Sequence, residues 1–85
     1  MALKGLVQGV FFRAFARQQA RALRLNGFAE NLPDGSLKII AEGEKEKLEA
    51  FIEKIKKGPE SARIKECAVE WKKAGNEFNG FRIVY

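Results

Sequence analysis

Phe28-Ala29-Glu30-Asn31-Leu32-Pro33-Asp34-Gly35-Ser36-Leu37-Lys38-Ile39-Ile40-Ala41-Glu42 is the stretch that decides how this chain folds. Phe28–Leu32 and Leu37–Glu42 are short runs of strand character, and Pro33-Asp34-Gly35-Ser36 is a turn between them. Proline presets φ at the first corner of such a turn, and glycine supplies a positive φ further on. The stretch therefore predicts a β-hairpin. A helical pattern flanks it on each side, and that restricts the topology.

Upstream, Phe12, Phe15, Ala16, Ala20 and Leu23 recur at three- and four-residue spacing, which predicts a helix from about Phe12 to Leu25. Gly27, after Asn26, suits the left-handed position that ends a helix. Residues 2–8, ahead of this helix, read as a strand. Downstream, Leu48, Phe51, Ile52 and Ile55 form one apolar helical face. Glu44 and Glu46 lie at the start of that helix, and Lys54, Lys56 and Lys57 near its end, as the helix dipole favours. Gly58-Pro59 stops it. Cys67, Val69 and Trp71 alternate through 62–72 as in a half-buried strand, and Phe81, Ile83 and Tyr85 alternate in a last one.

The order is β-α-β-β-α-β with one additional short strand. It predicts an α+β fold, a ferredoxin-like sandwich with two helices on one face of an antiparallel sheet. Residues 1–85 are expected to form a single domain, because no change in composition divides them. A chain of this size buries roughly 60–65% of its unfolded surface, enough for one cleft but not for a large enclosed cavity.

Composition removes several kinds of chemistry. The chain has no histidine, so it offers no Ser-His or Cys-His nucleophile pair and no His-liganded zinc. It carries no Walker-type phosphate loop, and the position six residues after Cys67 is Lys73, not the arginine of a cysteine phosphatase. One cysteine cannot form an internal disulfide, which together with the lack of a signal-peptide pattern suggests a cytoplasmic setting. No apolar run is long enough for a membrane span. Sixteen Lys and Arg against eleven Asp and Glu give a net charge of +5, which favours anionic ligands without choosing one.

Gln8-Gly9-Val10-Phe11-Phe12-Arg13 lies between the first strand and the first helix. The first amides of a helix have no internal partner, and its dipole there favours negative charge. Arg13 adds a planar guanidinium whose fork matches two phosphate oxygens. In a split β-α-β unit the first two strands run the same way, so Asn31, near the end of the second, shares a sheet edge with this loop. About 10 Å of backbone, two strand spacings, separates them. Taken alone, either residue also fits an ordinary connection: an exposed arginine, and an asparagine beside a turn.

Together the two segments resemble the acylphosphatase family. Gly5-Leu6-Val7-Gln8-Gly9-Val10-Phe11-Phe12-Arg13 and Gly27-Phe28-Ala29-Glu30-Asn31-Leu32-Pro33-Asp34-Gly35-Ser36 are similar to its two signatures, and Arg13 and Asn31 stand 18 positions apart. The similarity continues through Ala41-Glu42-Gly43, Gly58-Pro59 and Gly80-Phe81-Arg82-Ile83. Leu6 departs from it, where many relatives carry arginine, and so does Phe11, where many carry glycine, though Phe also occurs there. The resemblance implies hydrolysis of acyl phosphates to a carboxylate and inorganic phosphate, without metal or cofactor. It implies that Arg13 binds the phosphate, with the backbone of Gln8, Gly9, Val10, Phe11, Phe12 and Arg13 cradling it, and that Asn31 orients the attacking water. The expected partner is a small-molecule acyl phosphate, met by a monomer, with neither nucleic acid nor membrane involved.

Two other readings stay open at this stage: a non-catalytic anion- or RNA-binding module, and a domain excised from a carbamoyl-transferring maturation protein. Arg13, Arg17, Arg21 and Arg24 form a basic stripe that suits nucleic acid. A solvated helix face paired with nearby Glu explains the stripe more simply. Trp71 and Tyr85 are expected to be packing residues, and Cys67 a small buried hydrophobe.

Overall fold

The structure, a computed structural model, describes residues 1–73 and 75–85. Seven elements follow one another: β1 (Ala2–Leu6), α1 (Phe12–Ala22), β2 (Asn26–Asn31), β3 (Leu37–Glu42), α2 (Lys45–Lys57), β4 (Arg63–Ala68) and β5 (Phe81–Val84). They build one five-stranded sheet in the order β4-β1-β3-β2-β5. All neighbours are antiparallel except β2 and β5, which run parallel. The four strands of the β-α-β-β-α-β core are antiparallel as expected, and the additional strand, β5, makes the sheet mixed.

Alternation along each strand sends one face to the helices. Leu3, Ala29, Leu37, Ile39 and Phe81 point into the core, where they meet Phe12, Ala16 and Ala20 of α1 and Phe51 and Ile55 of α2. These side chains are almost wholly removed from solvent. Burying such a side chain contributes about 1.5–3 kcal/mol, so this one cluster dominates the stability of the domain.

The hairpin forms as the turn chemistry requires. Asp34 accepts hydrogen bonds from the amide and hydroxyl of Ser36, and the Leu32 amide donates to the Ser36 carbonyl at 2.9 Å. In α2, Gly58 adopts a positive φ of 67° and ends the helix where the Gly-Pro pair predicts.

Helix α1 ends earlier than its apolar spacing predicts. It stops at Ala22, and Arg24 takes the left-handed conformation with φ 57°. The Leu25 amide then donates to the Ala20 carbonyl, so Leu25 reaches the core from a turn and not from another helical turn. Gly27 serves a different purpose from the one expected. It lies inside β2 with φ 145°, where a Cβ would collide with the Ile40 carbonyl of β3. Glycine is needed there for close approach of two backbones.

Strand β4 also ends short of its alternation. Ala68 pairs with Ala2, the first residue of β1, and beyond it no partner strand continues the ladder. Trp71 is consequently 52% exposed, contrary to its expected packing role. Cys67 is half-buried against the core. Among the described residues, no helix is long and apolar enough to cross a membrane.

Candidate active site

The three strands β1, β2 and β5 run the same way, because β1 and β2 both lie antiparallel to β3, and β5 is parallel to β2. Their C-terminal ends therefore share one edge of the sheet. The 7–11 loop leaves β1 there, Asn31 ends β2, and Val84 ends β5 with Tyr85 just after it. A cleft of about 260 Å³ opens at this edge, lined by residues that include Gly9, Phe11, Arg13, Asn31 and Tyr85. Among the described residues, Arg13 is the only charged side chain in its lining.

The loop is held in an unusual backbone state. Gly9 has φ 72° and Phe11 φ 60°, on either side of Val10. Phe11 is the N-cap of α1, and its side chain makes no capping hydrogen bond. Its carbonyl accepts from the Phe15 amide at 3.0 Å, so the helix begins directly behind the cleft. No acidic residue occupies the first turn. Backbone of alternating hand groups successive amides into a concavity suited to anions, and the helix dipole adds to it.

Arg13 projects from that first turn. Its Nη1 donates to the Val84 carbonyl at 3.2 Å, and its guanidinium carbon lies 4.8 Å from the centroid of the Tyr85 ring. Two features of β5 thus aim a cation at the cleft. Tyr85 is 91% exposed, so the expectation that it packs in the core does not hold. Its ring is a platform for Arg13.

Asn31 enters from the other side. It pairs with Leu37 across the hairpin, one residue beyond the Glu30–Val84 pair with β5. Its Oδ1 is buried and has no hydrogen-bond partner among the described residues. An unpartnered buried acceptor costs about 1–3 kcal/mol, which leaves this atom with unmet hydrogen-bonding capacity beside the cleft.

Gln8 and Val10 do not line the cleft. Gln8 Nε2 instead donates to the Leu32 carbonyl at 2.8 Å and the Ser36 carbonyl at 2.9 Å. It ties the loop to the hairpin that follows Asn31. Sequence reasoning placed Arg13 and Asn31 at one edge correctly but did not find Val7, Ile83 and Tyr85, which also line the cleft. Val7 stands in the first signature and Ile83 in the closing Gly80–Ile83 segment, but no spacing rule locates β5, and Tyr85 after it, beside β2.

The remaining stripe arginines take no part. Arg21 and Arg24 border a shallow depression with Arg82, at the far end of α1. They are not paired with Glu as expected: among the described residues the one ion pair is Lys72 with Glu70, at 3.7 Å.

The profile of the family described as Acylphosphatase matches residues 1–83. An acylphosphatase of Thermus thermophilus is 49% identical over 82 residues, covering 95% of this chain and 91% of that protein. One from Aeropyrum pernix is 44% identical, over 98% of this chain and 83% of its own length. The crystal structure of acylphosphatase from Bacillus subtilis superposes with a TM-score of 0.94 at 33% identity, covering 99% of this chain and 93% of that one. A full-length HypF in a phosphate- and nucleotide-bound form gives a TM-score of 0.87 at 37% identity, over 98% of this chain but 11% of its own. With its fold, its two signatures and matches along nearly its whole length, this chain belongs to the acylphosphatase family.

Proposed function

We propose that the cleft hydrolyses acyl phosphates to a carboxylate and inorganic phosphate. The loop amides between Gly9 and Arg13 hold the phosphoryl group, and the Arg13 guanidinium neutralises its equatorial oxygens. Asn31 Oδ1 accepts a hydrogen bond from a water and holds it in line with the bond that breaks. The buried, unpartnered Asn31 Oδ1 in the same cleft as Arg13 is the observation that carries this reading.

The reaction needs little more. A carboxylate is a good leaving group, so phosphoryl transfer from an acyl phosphate depends mainly on positioning and charge stabilisation. The water oxygen forms a bond to phosphorus while the bond from phosphorus to the acyl oxygen breaks. The electron pair leaves with the carboxylate, and the proton of the water passes to a phosphate oxygen. Asn31 is neutral and orients the water without taking its proton.

Phosphate release from benzoyl phosphate, with EDTA present, tests this directly. Wild type is expected to turn over, and Arg13→Ala to lose about 10²–10³-fold or more, the usual cost of one preorganised donor. Arg13→Lys should fail nearly as badly, because a point charge lacks the fork. Turnover that survives Arg13→Ala would refute the assignment, and absence of turnover in a folded wild type would reduce the cleft to an anion-binding site.

A further inference from the structure

Phe11 breaks two local preferences at once. It is an N-cap without a capping side chain, a position that favours Ser, Thr, Asp, Asn or Gly. It also holds φ 60° and ψ 24°, a left-handed conformation that is unfavourable for a bulky residue. Packing does not compensate, because Phe11 is 85% exposed. Nor, among the described residues, is its ring stacked on another aromatic, whereas its neighbour Phe12 is buried and packs edge-on against Phe15. A strained, exposed phenyl group that adds nothing to the core is a feature of the site it borders.

That site needs an apolar surface. A phosphate group fills only part of the 260 Å³ cleft, and the acyl group must lie beside it. The other exposed aromatic there, Tyr85, already has Arg13 over its face. Phe11 is the aromatic surface that remains, one peptide away from the helix that holds the phosphate. Resting on the hydrolase reading above, we propose that Phe11 is a specificity-determining residue that contacts the acyl group and makes the enzyme favour aromatic or bulky apolar acyl phosphates over small ones.

The test compares kcat/KM for benzoyl phosphate and acetyl phosphate in wild type, Phe11→Gly, Phe11→Asn and Phe11→Tyr. Glycine and asparagine both tolerate the backbone conformation, so these variants fold at least as well as wild type. The benzoyl-to-acetyl ratio is expected to fall about fivefold in both, as loss of one aromatic contact predicts, and to be kept by Phe11→Tyr. An unchanged ratio in Phe11→Gly and Phe11→Asn overturns the inference while leaving the hydrolase reading intact. A change in inhibition by inorganic phosphate without a change in the ratio also overturns it, because Phe11 then serves only the loop. Failure of wild type to hydrolyse either compound overturns both.

Discussion

The Arg13 guanidinium lies over the Tyr85 ring at 4.8 Å while its Nη1 donates to the carbonyl of the preceding residue, Val84, at 3.2 Å. One side chain from α1 is thereby fastened to β5, 71 residues away in sequence. The hydrogen bond and the ring together hold the guanidinium at the end of β5. Both leave the remaining donors for an anion.

Removing the ring should loosen that aim without removing the charge. An exposed cation–π contact contributes about 0.5–1 kcal/mol, so Tyr85→Leu is expected to lower kcat/KM about two- to fivefold. Tyr85→Phe keeps a ring and should remain near wild type. Steady-state kinetics on an acyl phosphate distinguish the two, and equal loss in both would assign the role to the hydroxyl.

Gln8 supplies the corresponding tie on the opposite side. Gln8→Leu removes both bonds to the Leu32 and Ser36 carbonyls and should cost about 1–2 kcal/mol in urea unfolding. Gln8→Glu should be worse, because a carboxylate cannot donate and faces two carbonyl oxygens. Both should lower kcat, since the tie joins the loop to the hairpin that follows Asn31. Wild-type kcat in a destabilised Gln8→Leu would show that it only stabilises the fold.

Asp34 links the hairpin to pH. The Ser36 hydroxyl and then the Ser36 amide hold its carboxyl below the ordinary 3.8. A carboxylate favoured by the folded state contributes stability above that value, and the contribution is lost as pH falls through the folded pKa. Wild type should therefore melt above Asp34→Asn near neutrality, and the gap should close as pH is lowered below 3.8. Melting curves across that range check the sign, and a gap that widens in acid would contradict it.

Much of this was legible in the chain itself, where a local signal and the tertiary context agree. The hairpin at Pro33–Ser36 and the helix carrying Phe51 and Ile55 appear where turn chemistry and apolar period place them. The misreadings have a common cause: long-range partners decide them. Helix α1 stops at Ala22 although Leu23 continues its spacing, because Arg24 takes a left-handed turn that no glycine announces. Strand β4 stops at Ala68 because β1 begins at Ala2. Motif and topology bring Arg13 and Asn31 to one sheet edge, but the place of Tyr85 beside them depends on the parallel pairing of β5 with β2, which alternation in 81–85 does not reveal.

The most direct test of the account is Asn31→Ala, measured as kcat on an acyl phosphate and as inhibition by inorganic phosphate. If Asn31 Oδ1 positions the water, kcat should fall about 10²–10³-fold while the phosphate inhibition constant changes by less than about threefold. Equal loss of both would make Asn31 a phosphate ligand and contradict its place in the mechanism.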